Sequence, residues 1–147
     1  MRLARAEISN FRSLKHVAVD FGSSTALIGG NGTGKSSVLK ALEKFYSTSR
    51  NLDADDYYGR DTTSPIEISL TFDGLSDDEV AAFGSRVKDR KLIVTRIFDS
   101  TASSGRYHGV VPQNPEFLDI RSAANFNAKR AAYNGLRTAG RGYEGPR

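Results

Sequence analysis

The sequence predicts a mixed α/β chain of α+β character, built around a phosphate-binding loop with antiparallel strands before and after the helix that follows it. Three observations carry this. Gly29 to Ser36 reads Gly-Gly-Asn-Gly-Thr-Gly-Lys-Ser, a complete G-x-x-x-x-G-K-S loop. The loop is preceded by the apolar run Thr25 to Ile28, strand-like in length, and followed by apolar residues at 38, 39, 42, 45 and 46, the spacing of one helix face. Segments alternating between apolar and polar residues lie on both sides of that unit.

In chain order, residues 3 to 11 place Ala4, Ala6 and Ile8 opposite Arg5, Glu7 and Ser9, which reads as a half-buried strand ending at Phe11. Val17, Val19 and Phe21 against Ala18 and Asp20 form a second, closed by Gly22-Ser23-Ser24. A helix is expected from about Ser36 to Ser47. Residues 48 to 64 are polar and rich in aspartate, and read as an exposed acidic loop. Asp53, Asp55, Asp56 and Asp61 lack the glycine and closing glutamate of a calcium loop, so a solvated loop is favoured over a metal site.

Residues 65 to 111 read as an antiparallel strand region. Pro65 opens a strand with Ile66, Ile68, Leu70 and Phe72 on one face, and Asp73-Gly74 turns the chain. Ser76-Asp77-Asp78-Glu79 is a capping box for a helix expected to bury Val80, Phe83 and Val87. Lys91 to Phe98 and Arg106 to Val111 pair as a hairpin. Asn114-Pro115-Glu116 starts a short helix, and a second is expected from about Ser122 to Leu136, giving helices over 115–137. Residues 138–147 read as a flexible tail. His16 and His108 stand alone and are given packing or surface roles.

The loop carries the chemistry. Its four fixed positions would coincide by chance in roughly one chain of this length in a few hundred, given ordinary residue frequencies. Glycines let the chain turn tightly and bring backbone N–H groups against phosphate oxygens, and the positive end of the following helix faces the same anion. Gly29, Gly30, Asn31, Gly32, Thr33 and Gly34 therefore form the cradle, with Ser37 beside it. Lys35 is expected at the β- and γ-phosphates of ATP, and the Ser36 hydroxyl on Mg²⁺.

Composition narrows the class. At 147 residues without a cysteine, the chain has one domain's length and neither a disulfide framework nor a thiolate metal site. No run is apolar enough to span a bilayer and no leader opens the chain, so a soluble, cytoplasmic location is expected, with no membrane partner. The net charge of +4 is uneven: residues 1–50 hold 8 Lys and Arg against 3 Asp and Glu, 51–100 hold 6 against 11, and 101–147 hold 7 against 3. That pattern permits contact with DNA and equally describes ordinary solvated faces.

Hydrolysis also needs an acid at the end of an apolar strand to hold the metal, and a group to orient water. Val17 to Asp20 precedes the loop too closely, and Leu92 to Asp99 is interrupted by Thr95 and Arg96. No catalytic residue is therefore assigned in this chain.

Met1-Arg2-Leu3, Ile8-Ser9-Asn10-Phe11-Arg12-Ser13-Leu14-Lys15, Phe21 and Leu27 to Ser37 together resemble the start of ABC-type ATPase heads of the SMC, Rad50 and RecF kind. Asp55 to Phe72 is similar to the OLD (overcoming lysogenization defect) branch, ATPase-nucleases of phage defence. The resemblance implies an N-terminal ATPase lobe over residues 1–137, with Arg12 approaching the nucleotide and Asn31 the γ-phosphate. Gln113 is then a candidate Q-loop glutamine sensing Mg²⁺ and γ-phosphate. It further implies homo-oligomerisation through the heads, with DNA and a protein supplying nuclease or effector activity as candidate partners. Walker B, signature and any nuclease domain fall outside these residues, so the chain is expected to be incomplete for hydrolysis. Two alternatives stand beside this: a truncated regulatory nucleotide-binding module docking on a partner, and a self-contained small P-loop kinase or NTPase.

Overall fold

The structure is a computed structural model and describes residues 1–48, 52–101, 103–109, 120 and 122–138. Two compact units divide it, Met1–Val111 and Pro112–Arg147. The first holds strands β1 (Arg2–Phe11), β2 (Leu14–Asp20), β3 (Ile66–Asp73), β4 (Val87–Lys88), β5 (Lys91–Phe98) and β6 (Arg106–Gly109), with helices α1 (Lys35–Tyr46) and α2 (Asp77–Phe83). The strands form one sheet in the order β2-β1-β3-β5-β4, with β6 also on β5, and each pairing is antiparallel.

The register decides which side chains meet. Ala6 lies opposite Leu70 and Ile8 opposite Ile68 across β1 and β3. Ile66 faces Phe98, Ile68 faces Arg96 and Leu70 faces Val94 across β3 and β5. Because side chains alternate along a strand, all eight share one face of the sheet. There Ala6, Ile8, Ile66, Ile68, Leu70 and Phe98 join Val38, Ala41 and Phe45 of α1 in the buried core. Burying one large apolar side chain of this kind contributes about 1.5–3 kcal/mol, so this face helps to hold α1 in place. A register shift between Leu3 and Arg5 breaks the alternation, and Ala4 is only half-buried.

Several expectations need correction. Thr25 to Ile28 is not a strand: Ile28 is 93% exposed. A strand exists only with a partner, and among the described residues the sheet places none beside this run. Within the expected exposed loop at 48–64, residues 52–64 are more ordered than a loop. Two 3₁₀ turns, Ala54–Asp56 and Tyr58–Arg60, bury Leu52 and Tyr57, and Tyr57 bridges to Phe11. On α1 the buried stripe is Val38, Ala41 and Phe45, while Leu39 and Tyr46 are exposed.

The capping box is present, with Ser76 Oγ accepting from the Glu79 amide and Glu79 Oε2 from the Ser76 amide. However, α2 stops at Phe83, where Gly84 turns with φ of 54°, so Val87 belongs to β4 and Val80 and Phe83 are half-buried. In the second unit helix α3 runs from Phe126 to Thr138. It starts later than expected because Asn125 caps it, its Oδ1 accepting from the Ala128 amide at 2.9 Å. Phe126 and Tyr133 are exposed, and Thr138, expected in the tail, is the last helical residue. The end of the hairpin at 110–111, the short helix from 115 and residues 139–147 lie outside the described residues. Among the described residues no helix is long and apolar enough to cross a membrane.

Candidate nucleotide-binding site

The G-x-x-x-x-G-K-S loop enters α1 through Gly34, which caps the helix at φ of 91°. A Cβ there would sit 2.7 Å from Leu14 Cδ2, so any other residue would strain the backbone and force Leu14 to shift. Gly32 likewise has φ of 81°. Among the described residues no side chain caps the helix, and no acid lies in its first turn to offset its positive end.

Within the loop, Thr33 Oγ1 donates to the Gly30 carbonyl at 2.9 Å. Lys35 Nζ donates to the carbonyls of Gly29, at 2.7 Å, and Gly30, and to Thr33 Oγ1 at 3.3 Å. The ammonium thus lies over the loop that would cradle the phosphates. A phosphate there would replace neutral carbonyl partners with charged oxygens, and charge-assisted bonds are roughly twice as strong. Gly29, Gly30, Asn31, Gly32 and Thr33 are exposed, as is Ser36, whose hydroxyl is a hard oxygen donor of the type magnesium takes.

The turn between β1 and β2 lies against the start of α1. Ser13 Oγ is 2.9 Å from Ser37 Oγ, and Leu14 packs on Gly34. Ser37 thereby meets the turn between β1 and β2. Arg12 is held from the other side by the acidic segment: its amide donates to the Asp56 carbonyl at 2.8 Å, and its Nε and Nη2 lie 2.9 and 2.8 Å from Asp56 Oδ1. Its guanidinium also sits 5.6 Å from the Phe11 ring centre. Nearby, burial and the charges of Asp99 and Asp56 push the Tyr57 hydroxyl above the usual phenol range.

At the far end of α1, sequence reasoning missed a second anchor. Arg96 is 3% exposed. Its Nη1 donates to the carbonyls of Lys44 at 2.8 Å, Phe45 at 2.9 Å and Ser47, and its Nη2 to that of Ser104. The group stacks between Phe98 and Tyr107, at 4.7 and 4.8 Å from their centres, and the Tyr107 hydroxyl also donates to Phe45. A cation here answers the negative end of the helix dipole. The signal was available, since Leu92, Val94, Arg96 and Phe98 share one phase of β5 and arginine alone breaks the apolar series.

Of the residues expected at the site, the structure brings Gly29 to Ser37 together at the start of α1 and puts Arg12 in the adjoining turn. Gln113 lies outside the described residues.

Loop, helix and sheet together define a P-loop ATPase domain. The chain belongs to the AAA ATPase domain family, whose model matches residues 1–134. Among curated proteins it is 31% identical over 106 residues to the Old nuclease of Escherichia phage P2, covering 72% of this chain and 17% of that protein. It is 34% identical over 76 residues to the OLD nuclease of Thermus scotoductus, covering 48% and 14%. The chain therefore spans about a sixth of the length of these relatives. Among solved structures it is similar to one from work on the structural biochemistry of ATP-driven dimerization and DNA stimulated activation of SMC ATPases. That match covers 98% of this chain and 93% of the other, with a TM-score of 0.50 at 19% identity. The fold is that of the N-terminal lobe of an SMC/Rad50/OLD-like ATPase head, and a general ATP-binding role follows.

Proposed function

We propose that this chain is the ATP- and Mg²⁺-binding lobe of an OLD-like ATPase that acts on DNA in antiphage defence or DNA repair in the cytoplasm. The observation that carries the reading is the seating of the loop: a helix start without a side-chain cap among the described residues, Gly34 in a conformation glycine favours, and Lys35 lying over the phosphate cradle. Lys35 would take the β- and γ-phosphates, Asn31 would face the γ-phosphate, and the Ser36 hydroxyl would be a ligand of Mg²⁺. Arg12 reaches the nucleotide from the neighbouring turn, and Gln113 senses the metal and γ-phosphate.

Hydrolysis then needs a carboxylate and a signature segment contributed from outside these residues, with two heads meeting across ATP. Relatedness to OLD nucleases supports the link to DNA and to a nuclease or effector activity.

The test is equilibrium binding of a fluorescent ATP analogue with magnesium, followed by a turnover assay. Binding that Lys35→Ala weakens by about 100-fold or more, with negligible turnover by the 147-residue chain, is the expected result. Robust turnover by this chain alone would instead identify a self-contained NTPase. Equal affinity in wild type and Lys35→Ala would remove the loop from the site altogether.

A further inference from the structure

We propose that Asp56 is a positioning residue for Arg12, so that the segment called acidic by composition sets the direction of a phosphate-binding guanidinium; this rests on the reading above that Arg12 reaches the nucleotide.

The turn carrying Arg12 is unusual. Asn10 and Arg12 have φ of 57° and 52°, a region that side-chain-bearing residues seldom occupy. Both are held there by the 53–64 segment. Asn10 Nδ2 donates to the Ser64 carbonyl at 2.7 Å, and the Arg12 amide donates to the Asp56 carbonyl. Tyr57, 1% exposed, bridges to Phe11 and locks the two segments together.

The Asp56 carboxylate is itself oriented. Its Oδ2 accepts from the Asp53 amide at 3.3 Å within the capping box of the first 3₁₀ turn, which leaves Oδ1 toward Arg12. Both Nε and Nη2 of Arg12 converge on that one oxygen. A guanidinium has five N–H groups in a fixed plane, so two contacts fix its plane and direction while the outer edge stays available to an anion. On the opposite side the same turn touches the loop through Ser13 with Ser37 and Leu14 with Gly34. The turn that carries the cation is therefore braced by one segment and touches the start of α1 through Ser13 and Leu14. Asp56 and a phosphate act on different edges of one plane, so Asp56 directs Arg12 without competing for it.

A double-mutant cycle tests this, reading the dissociation constant of a fluorescent ATP analogue with magnesium for wild type, Arg12→Ala, Asp56→Asn and the double variant. Asp56→Asn is expected to weaken binding by about fivefold, the scale of a partly exposed ion pair, and to change nothing further once Arg12 is alanine. Asp56→Ser, which keeps an acceptor for the Asp53 amide, takes its place if the asparagine variant does not fold. Arg12→Ala weakening binding while Asp56→Asn leaves it unchanged would overturn the proposal alone. Equal weakening by Asp56→Asn with and without Arg12 would also overturn it, since Asp56 would then act on the fold and not through the arginine. Arg12→Ala binding like wild type, with Lys35→Ala defective, would overturn the role of Arg12 and the proposal with it.

Discussion

Replacing Arg96 with methionine should cost this fold more than any surface change, because methionine fills the space of the side chain but supplies no donor. The three carbonyls on Nη1 share two hydrogens, so they are best counted as two charge-assisted bonds, together about 3 kcal/mol. The Ser104 bond and the stacking on Phe98 and Tyr107 add about 1 kcal/mol each. Relief from burying a cation returns about 2 kcal/mol, and the Arg96 Nε, buried with no hydrogen-bond partner among the described residues, shows that the site is not ideal even for arginine. The expected net loss is about 3 kcal/mol, or about 15 °C in melting temperature for a unit of this size. Urea denaturation with an unchanged slope, alongside calorimetry, measures it. Arg96→Lys keeps the charge but not the planar fork, and should recover about half. A loss below about 1 kcal/mol for the methionine variant would refute the reasoning, since the end of α1 would then not depend on the guanidinium.

Two further substitutions probe the same core. Gly34→Ala combines a positive φ with a Cβ 2.7 Å from Leu14, and should destabilise the chain by about 2 kcal/mol and weaken binding of the ATP analogue. Wild-type melting and affinity in that variant would show that the loop adapts. Tyr57→Phe removes a buried hydroxyl that has no hydrogen-bond partner among the described residues, and should stabilise the fold by about 1 kcal/mol in the same urea titration. A loss of stability would mean that the hydroxyl holds a partner in solution.

The parts legible in the sequence are those fixed by local rules. Strands β1 and β3 were visible because alternation at 6, 8, 66, 68 and 70 reports a sheet with one buried face. The loop and α1 were visible because glycine spacing and helix period are both short-range. What was not legible depends on partners distant in the chain. Ile28 looks like a strand residue until the sheet is seen to place no neighbour beside it. Asp56 and Tyr57 look like loop residues because their polar and aromatic neighbours carry no period, yet their contacts are to Arg12 and Phe11, more than forty positions away. Arg96 looked like an interruption of a strand when it was the polar member of a buried face. At the candidate site, the glycine loop and its helix were readable, whereas the hold of Asp56 on Arg12 and of Arg96 on the end of α1 was not.

The antiparallel register has a consequence for how the site comes into being. Strand β1 pairs with β2 on one side and with β3 on the other, so the loop, α1 and the acidic segment all lie in the chain between its two partners. Closing that span, with Arg2 opposite Asp73, carries the loop-closure entropy of some seventy intervening residues. Contacts so distant in sequence form late and slowly compared with a helix turn. The glycine-rich motif is therefore not an autonomous module. A chain lacking its first eleven residues would keep every motif position and lose the strand on which both flanking segments register, and ATP would find the sequence of a site without its shape.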